Sequence, residues 1–203
     1  MRVRLTQLID LWAGVPLCLF FSMWRRLTSV FRWRRKAFSP KNILFVELSE
    51  MGSAIIGYAS LVRARELFPE SRLFFLTFHK NAESVELLQI IPKENIITIA
   101  DDSFLSFAIG TLRAIWKIRK LGVDTTIDME LFSRASSLIC YLTGAVRRVG
   151  FDNFSAEGLY RGSLLTHRVF YNPHQHMSLN FLGLVYALTE GEVVPGPKMD
   201  VRN

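Results

Sequence analysis

The sequence predicts an α/β domain wound on both faces of a parallel sheet. Two observations predict it. Short apolar runs of strand length alternate with helix-patterned segments from residue 42 to about residue 190. These runs are apolar at nearly every position, as in Ile43-Leu44-Phe45-Val46-Glu47-Leu48, which suits strands buried on both faces.

The first strand, 43–48, follows a polar break at Ser39-Pro40-Lys41-Asn42 and leads into the loop 49–53. A helix is expected over 54–67, stopped by Pro69, with Ser53 as its N-cap and Gly52 supplying a tight turn. Strand two covers 72–78, a short helix 82–90, and strand three 95–99. The helix 104–121 carries Phe104, Phe107, Ala108, Leu112, Ile115 and Trp116 at the spacing of one apolar face. Lys117 and Lys120 suit its C-terminal dipole and Gly122 ends it. Strand four (124–129), a helix (132–142) and strand five (147–151) follow. Residues 152–173 read as a long loop, and 176–188 as a last helix. Right-handed crossovers favour the order 3-2-1-4-5.

Half the residues are hydrophobic and 21% are charged, which excludes a disordered chain and is ample for a core. The formal net charge of +7 is unevenly placed. Residues 1–41 hold nine Lys/Arg and one acid, so the remaining chain is near neutral at −1. That argues against a basic nucleic-acid face on the folded body. Leu11–Trp24 is free of charge but short for a span. No small-residue cleavage site follows it, which disfavours a cleaved signal peptide. Trp12, Trp24 and Trp33, with the bases from Arg25 to Lys36, make residues 1–41 a candidate anchor that combines apolar insertion with attraction to an anionic membrane surface. Interfacial or re-entrant insertion fits better than a span, and the plain alternative is a helix packed on the domain. If the segment spans, the body lies in the cytoplasm. Cys18 and Cys140 cannot form a disulfide framework or a metal motif, and Cys140 reads as a buried apolar side chain.

In such a sheet a ligand sits beyond the carboxyl ends of the strands, at the switch point between strands one and four. Glu50, Gly52 and Ser53 follow strand one, and Asp128, Glu130, Ser133 and Arg134 follow strand four. A carboxylate in a partly desolvated crevice can act as a general base, and amides at a helix start can hold an anionic or hydroxyl-rich ligand. Each residue also has a structural reading: Asp128 as a hydrogen-bond acceptor, Arg134 paired with Glu130 or Asp128, Glu50 as a solvated loop acid. The glycines lack the dinucleotide-binding spacing, and no Gly-Lys-Ser/Thr follows them. His174 and His176 lack the further ligands a zinc site needs, and no nucleophile elbow is present.

Four segments, in order, resemble glycosyltransferase family 9, the ADP-heptose:lipopolysaccharide heptosyltransferase family. They are residues 42–53, Thr126–Glu130 with Ser133-Arg134, Thr143-Gly144-Ala145-Val146-Arg147-Arg148-Val149-Gly150-Phe151-Asp152, and Leu165–Val169 leading to His174-Gln175-His176-Met177. The resemblance implies the Rossmann-like N-terminal half of a GT-B fold. It also implies a metal-independent inverting transfer without cofactor, from a nucleoside-diphosphate sugar to a lipopolysaccharide-type or other lipid-linked glycan. Ser49, Gly52, Ser53, Glu130, Arg134 and His176 are then expected at the substrate. The family commonly has Ser-Ser-x-Gly-Asp after strand one, with the Asp as base. Here the segment reads Ser49-Glu50-Met51-Gly52-Ser53. Ser53 cannot serve as a base alone, so Glu50, or else Asp128, is expected to do so. The expected organisation is an anchor over 1–41, an acceptor-side domain over 42–192 and the start of an inter-domain linker over 193–203. On this reading the donor-binding domain is expected to be missing from the chain, which alone is expected to be inactive. The expected location is the cytoplasmic face of the inner membrane. The alternative is a non-catalytic, membrane-tethered Rossmann-like binding or scaffold protein.

Overall fold

The computed structural model describes residues 14–29, 39–48, 51–131, 133–151 and 162–189. Six strands form one parallel sheet: β1 (Asn42–Val46), β2 (Arg72–Phe78), β3 (Ile96–Ile99), β4 (Thr125–Asp128), β5 (Arg147–Phe151) and β6 (His167–Val169), in the order β3-β2-β1-β4-β5-β6. The five expected strands and their order are present. β6 is an addition, lying within the stretch read as loop. It is three residues long, half exposed and rich in polar side chains, because an edge strand needs neither the length nor the apolar run of a central one.

Alternate side chains along each central strand enter opposite cores. Ile43, Phe45, Leu73, Phe75, Ile127 and Val149 pack under α2 (Met51–Ile56), α3 (Tyr58–Leu67), α4 (Ala82–Leu87) and α7 (Met177–Tyr186). Leu44, Val46, Phe74, Leu76 and Ile97 pack under α5 (Phe104–Lys120) and α6 (Arg134–Leu142). Two-sided burial is the reason that these strands lack a polar alternation.

Two helices differ from expectation. The segment 54–67 is not one helix: α2 starts at Met51 and gives way to α3 at Gly57. A Cβ on Gly57 would stand 2.5 Å from the Met129 Cε and 3.2 Å from the Ser53 carbonyl oxygen, so the break lets this backbone approach the end of β4. On α5, Ala114, Ile115 and Ile118 are the inward residues of its C-terminal half, whereas Leu112 and Trp116 face outward. The expected single face is therefore split: Phe107 and Ile115 pack on the core, whereas Leu112 and Trp116 lie on the outer face, because Ala114 and Ile118 occupy the inner one.

The N-terminal helix α1 (Val15–Ser29) is packed on the domain. Cys18 and Ser22 face inward, Ser22 Oγ accepts from the Ser163 N–H at 2.9 Å, Arg25 Nη1 donates to the Leu165 carbonyl at 3.4 Å, and the Phe21 ring meets Tyr141 of α6 at 5.5 Å. Its other face leaves Leu19, Phe20, Met23, Trp24 and Leu27 more than half exposed. Among the described residues no helix is long and apolar enough to cross a membrane. At 1.5 Å per residue α1 extends about 22 Å, short of a hydrocarbon core of about 30 Å. The expected membrane helix is therefore, over its described length, a helix bound to the protein on one side. Cys18 and Cys140 are both buried.

α1 docks closely over Gly162, which holds φ +67° and whose Cβ would fall 2.9 Å from the Cys18 carbonyl oxygen. Gly162→Ala is expected to cost about 1–3 kcal/mol through left-handed strain and overpacking. The measurement is a lowered urea midpoint together with faster labelling of the Cys18 thiol.

Candidate functional site

The chain runs outward from β1 through β2 to β3 and then returns to β4 beside β1, so the strand order reverses between β1 and β4. A crevice opens at the carboxyl ends of two such strands because their loops depart in opposite directions. The residues there are Glu47 and Leu48 after β1, and Asp128, Met129 and Glu130 at the end of β4. All five are buried.

Side chains from the two neighbouring strand ends hold the exit of β1. The Leu48 N–H donates to Glu130 Oε1 at 2.7 Å, and the Leu48 carbonyl accepts from Asn81 Nδ2 at 2.9 Å. Asn81 closes the short 3-10 turn after β2 and is 3% exposed. Both main-chain polar groups of one buried residue are thereby satisfied by side chains, where a strand would have used a neighbouring strand. Leu48 is the last described residue before Ser49 and Glu50, which lie outside the described residues. The expectations placed on those two therefore concern a point immediately beyond this anchor.

Asp128 has no exposed surface. Its Oδ1 accepts from the Glu130 N–H at 3.2 Å, and its Oδ2 from Ser136 Oγ at 3.0 Å and Ser137 Oγ at 3.5 Å. These donors turn the carboxylate toward α6. The geometry suits a group that fixes the β4 loop and the start of α6, which is the structural reading of this residue. Ser133 caps α6 by accepting from the Ser136 N–H at 3.3 Å, and Arg134, the first residue of α6, is 4% exposed.

Gly52 and Ser53 lie inside α2, so neither the turn expected of Gly52 nor the N-cap expected of Ser53 is present. Helix start and turn both shift because the helix begins at Met51. A Cβ on Gly52 would meet nothing within 4 Å, so this first turn borders open space. His176 is exposed and caps α7, its Nδ1 accepting from the Ser178 N–H at 3.3 Å. Its described hydrogen bonds are with Ser178, and none joins it to Asp128 or Glu130. The structure brings Asp128 and Glu130 together at the end of β4, with Arg134 at the start of α6; Gly52 and Ser53 lie on α2, which packs in the other core cluster, and His176 has a local capping role.

Sequence reasoning missed Glu47 and Asn81. Glu47 interrupts an apolar run at its last turn into the loop, and that interruption was the available signal. Asn81 carried none, because its partner is 33 positions away.

The segment 143–152 proves to be scaffold over its described part. Thr143 Oγ1 donates to the Cys140 carbonyl at 2.7 Å and accepts from the Ala145 N–H at 3.2 Å. Gly144, at φ +83°, ends α6. Arg147 donates to the Leu188 carbonyl at 3.2 Å, and Arg148 to the carbonyls of Leu164 and Ala145. Gly150 sits opposite Asp128 in register, and a Cβ there would press on Asp128 Cβ at 3.2 Å and Leu165 at 3.0 Å.

No protein-family model and no curated protein matches the chain. Solved structures do. The E. coli heptosyltransferase WaaC with ADP-2-deoxy-2-fluoro heptose aligns at TM-score 0.59 and 16% identity, over 71% of this chain and 47% of that one. A glycosyl transferase family 9 structure from Veillonella parvula aligns at 0.63 and 16%, over 75% and 42%. The E. coli ADP-heptose lps heptosyltransferase II aligns at 0.58 and 16%, over 71% and 40%. The likeness is one of fold, and the chain spans less than half the length of each of these structures.

Glu130→Ala is expected to leave the buried Leu48 N–H without its acceptor and to cost about 1–3 kcal/mol. Glu130→Gln keeps a carbonyl oxygen in place and should cost less. Paired urea melts of the two variants check this ordering.

Proposed function

We propose that the chain is the acceptor-side domain of an inverting glycosyltransferase of the family 9 type, acting on a lipid-linked glycan at a membrane surface. The observation that carries this reading is a fold shared with several heptosyltransferase structures, combined with a β1 exit pinned at the switch point where an acceptor would lie. Two of the similar structures hold ADP or an ADP-heptose analogue, which supports a nucleoside-diphosphate sugar as donor.

In this reading the donor is held by a second Rossmann-like domain facing this one. Glu50 takes the proton from an acceptor hydroxyl as that oxygen bonds to the anomeric carbon. The bond from that carbon to the diphosphate oxygen breaks, and the nucleoside diphosphate leaves with the electron pair. Attack from the face opposite the leaving group inverts the centre. Asp128, already committed to Ser136, Ser137 and the Glu130 amide, holds the loops rather than the proton. The open space beside Gly52 and the half-buried Ser53 accommodate the acceptor sugar. The transfer needs no metal or cofactor. Residues 1–41 hold the enzyme at the cytoplasmic face of the inner membrane.

A non-catalytic, membrane-tethered binding module is favoured by one observation: Ser53 stands where the family commonly has its base. Glu50→Gln separates the two readings, assayed in a protein that joins this chain to a donor-binding half. Loss of general-base catalysis should lower kcat by roughly 10²–10⁴-fold with the donor KM little changed. Unchanged kcat removes Glu50 from the reaction, and no transfer by the unmutated protein favours the binding module.

A further inference from the structure

We infer that the outer face of α5 is a second membrane-contact surface, which receives the anionic lipid headgroups and outer acyl region of a bilayer alongside the N-terminal segment. This extends the membrane association proposed above and rests on it.

A helix packed on a core should turn polar side chains outward. α5 does the reverse along one stripe. Leu105, Ile109, Leu112 and Trp116 follow one another at intervals of four, three and four residues, and they are 68%, 41%, 67% and 61% exposed. This spacing keeps all four on one line of the helix, opposite the buried Ala114 and Ile118. No described element covers the stripe.

Charge selects the occupant. The seventeen residues of α5 include Arg113, Lys117, Arg119 and Lys120 and no acid. The near-neutral sum over the body hides this local excess. Arg113 and Lys117 line a cleft of about 350 Å³ between α5 and the edge strand β3, together with His79 and Thr98. Lys120 places its Nζ 3.6 Å from the centre of the Trp116 ring, so cation and aromatic occupy one spot. An apolar stripe bordered by bases, with a Trp at its cationic end, has the composition of a helix lying in a membrane interface. A protein partner of mixed charge would not call for four bases without an acid.

α1 has the same character. It exposes Leu19, Phe20, Met23, Trp24 and Leu27, carries Arg25 and Arg26, and has no acid. It rests on α6, whose inner face shares a core cluster with the inner face of α5. A lipid surface can receive both. Two separate contacts raise retention through effective concentration, which a marginal single anchor needs.

The test is co-sedimentation of the full chain with phosphatidylcholine vesicles and with vesicles containing phosphatidylglycerol. Three variants are compared with the unmutated chain: Leu112→Asp/Trp116→Asp, Arg113→Gln/Lys117→Gln, and Phe20→Asp/Trp24→Asp. The α5 pairs should each weaken binding to the anionic vesicles by about tenfold or more, with the circular dichroism spectrum and melting midpoint retained. In a chain carrying Trp12→Phe, Trp24→Phe and Trp33→Phe, the emission of Trp116 should shift to the blue on anionic vesicles and be quenched by brominated acyl chains. If the α1 pair abolishes binding while both α5 pairs leave it unchanged, the inference fails and the anchor reading stands. If the unmutated chain ignores anionic vesicles, both fail. If the α5 pairs abolish self-association and leave vesicle affinity intact, the face belongs to a second copy of the chain, and the lipid assignment is overturned.

Discussion

The peptide of Leu48 is where the sheet ends and the candidate site begins. Glu130 takes its N–H and Asn81 its carbonyl, so the loops after β1, β2 and β4 are tied together at one residue. The arrangement extends backwards. Glu130 is positioned by its own N–H bonded to Asp128, and Asp128 is positioned by Ser136 and Ser137 of α6. Burying two carboxylates carries a desolvation cost that these donors must offset. What results is a fixed backbone at Leu48, set by side chains rather than by a helix cap. A reacting group carried just beyond that exit would inherit the precision of the anchor.

The segment most like family 9 is structural throughout its described length. Arg147 and Arg148 are buried and spend their guanidinium donors on carbonyls of other segments, while Gly150 clears room for Asp128. Buried guanidinium groups need several acceptors in fixed places, so such a segment is constrained by the whole surrounding backbone. The likeness of fold to the solved structures stands at only 16% identity. Scaffold positions answer to packing, whereas loop positions answer to chemistry.

The loops at the carboxyl ends carry buried carboxylates. Helices α5 and α1, by contrast, expose Leu112 and Trp116, and Phe20 and Trp24, while α2 and α3 expose Ile55 and Tyr58. Crevice and apolar face are thus built from different elements, the first from strand ends and the second from outward helix faces.

The strands were legible from residue order alone. Two-sided burial imposes an uninterrupted apolar run, and Leu44 and Phe45 record it whatever their neighbours are. The order β3-β2-β1-β4-β5 followed from crossover geometry, which depends on alternation and not on particular side chains. The location of the crevice followed from that order. Three things were not legible. β6 lacks the apolar run because an edge is buried on one side at most. The division of Ala54–Leu67 into two helices depends on a methionine end group that arrives from position 129. The direction of the α5 stripe depends on which face the sheet had already claimed, since Ala114 and Ile118 compete with Leu112 and Trp116 on equal spacing. Asp128 reads in the sequence either as a base or as a structural acceptor, and the Ser136 and Ser137 hydroxyls that bond it come from α6. Periodicity is a local property and survives in the sequence, whereas a choice between two faces, or between two roles for one carboxylate, is made by contacts between residues far apart in the chain.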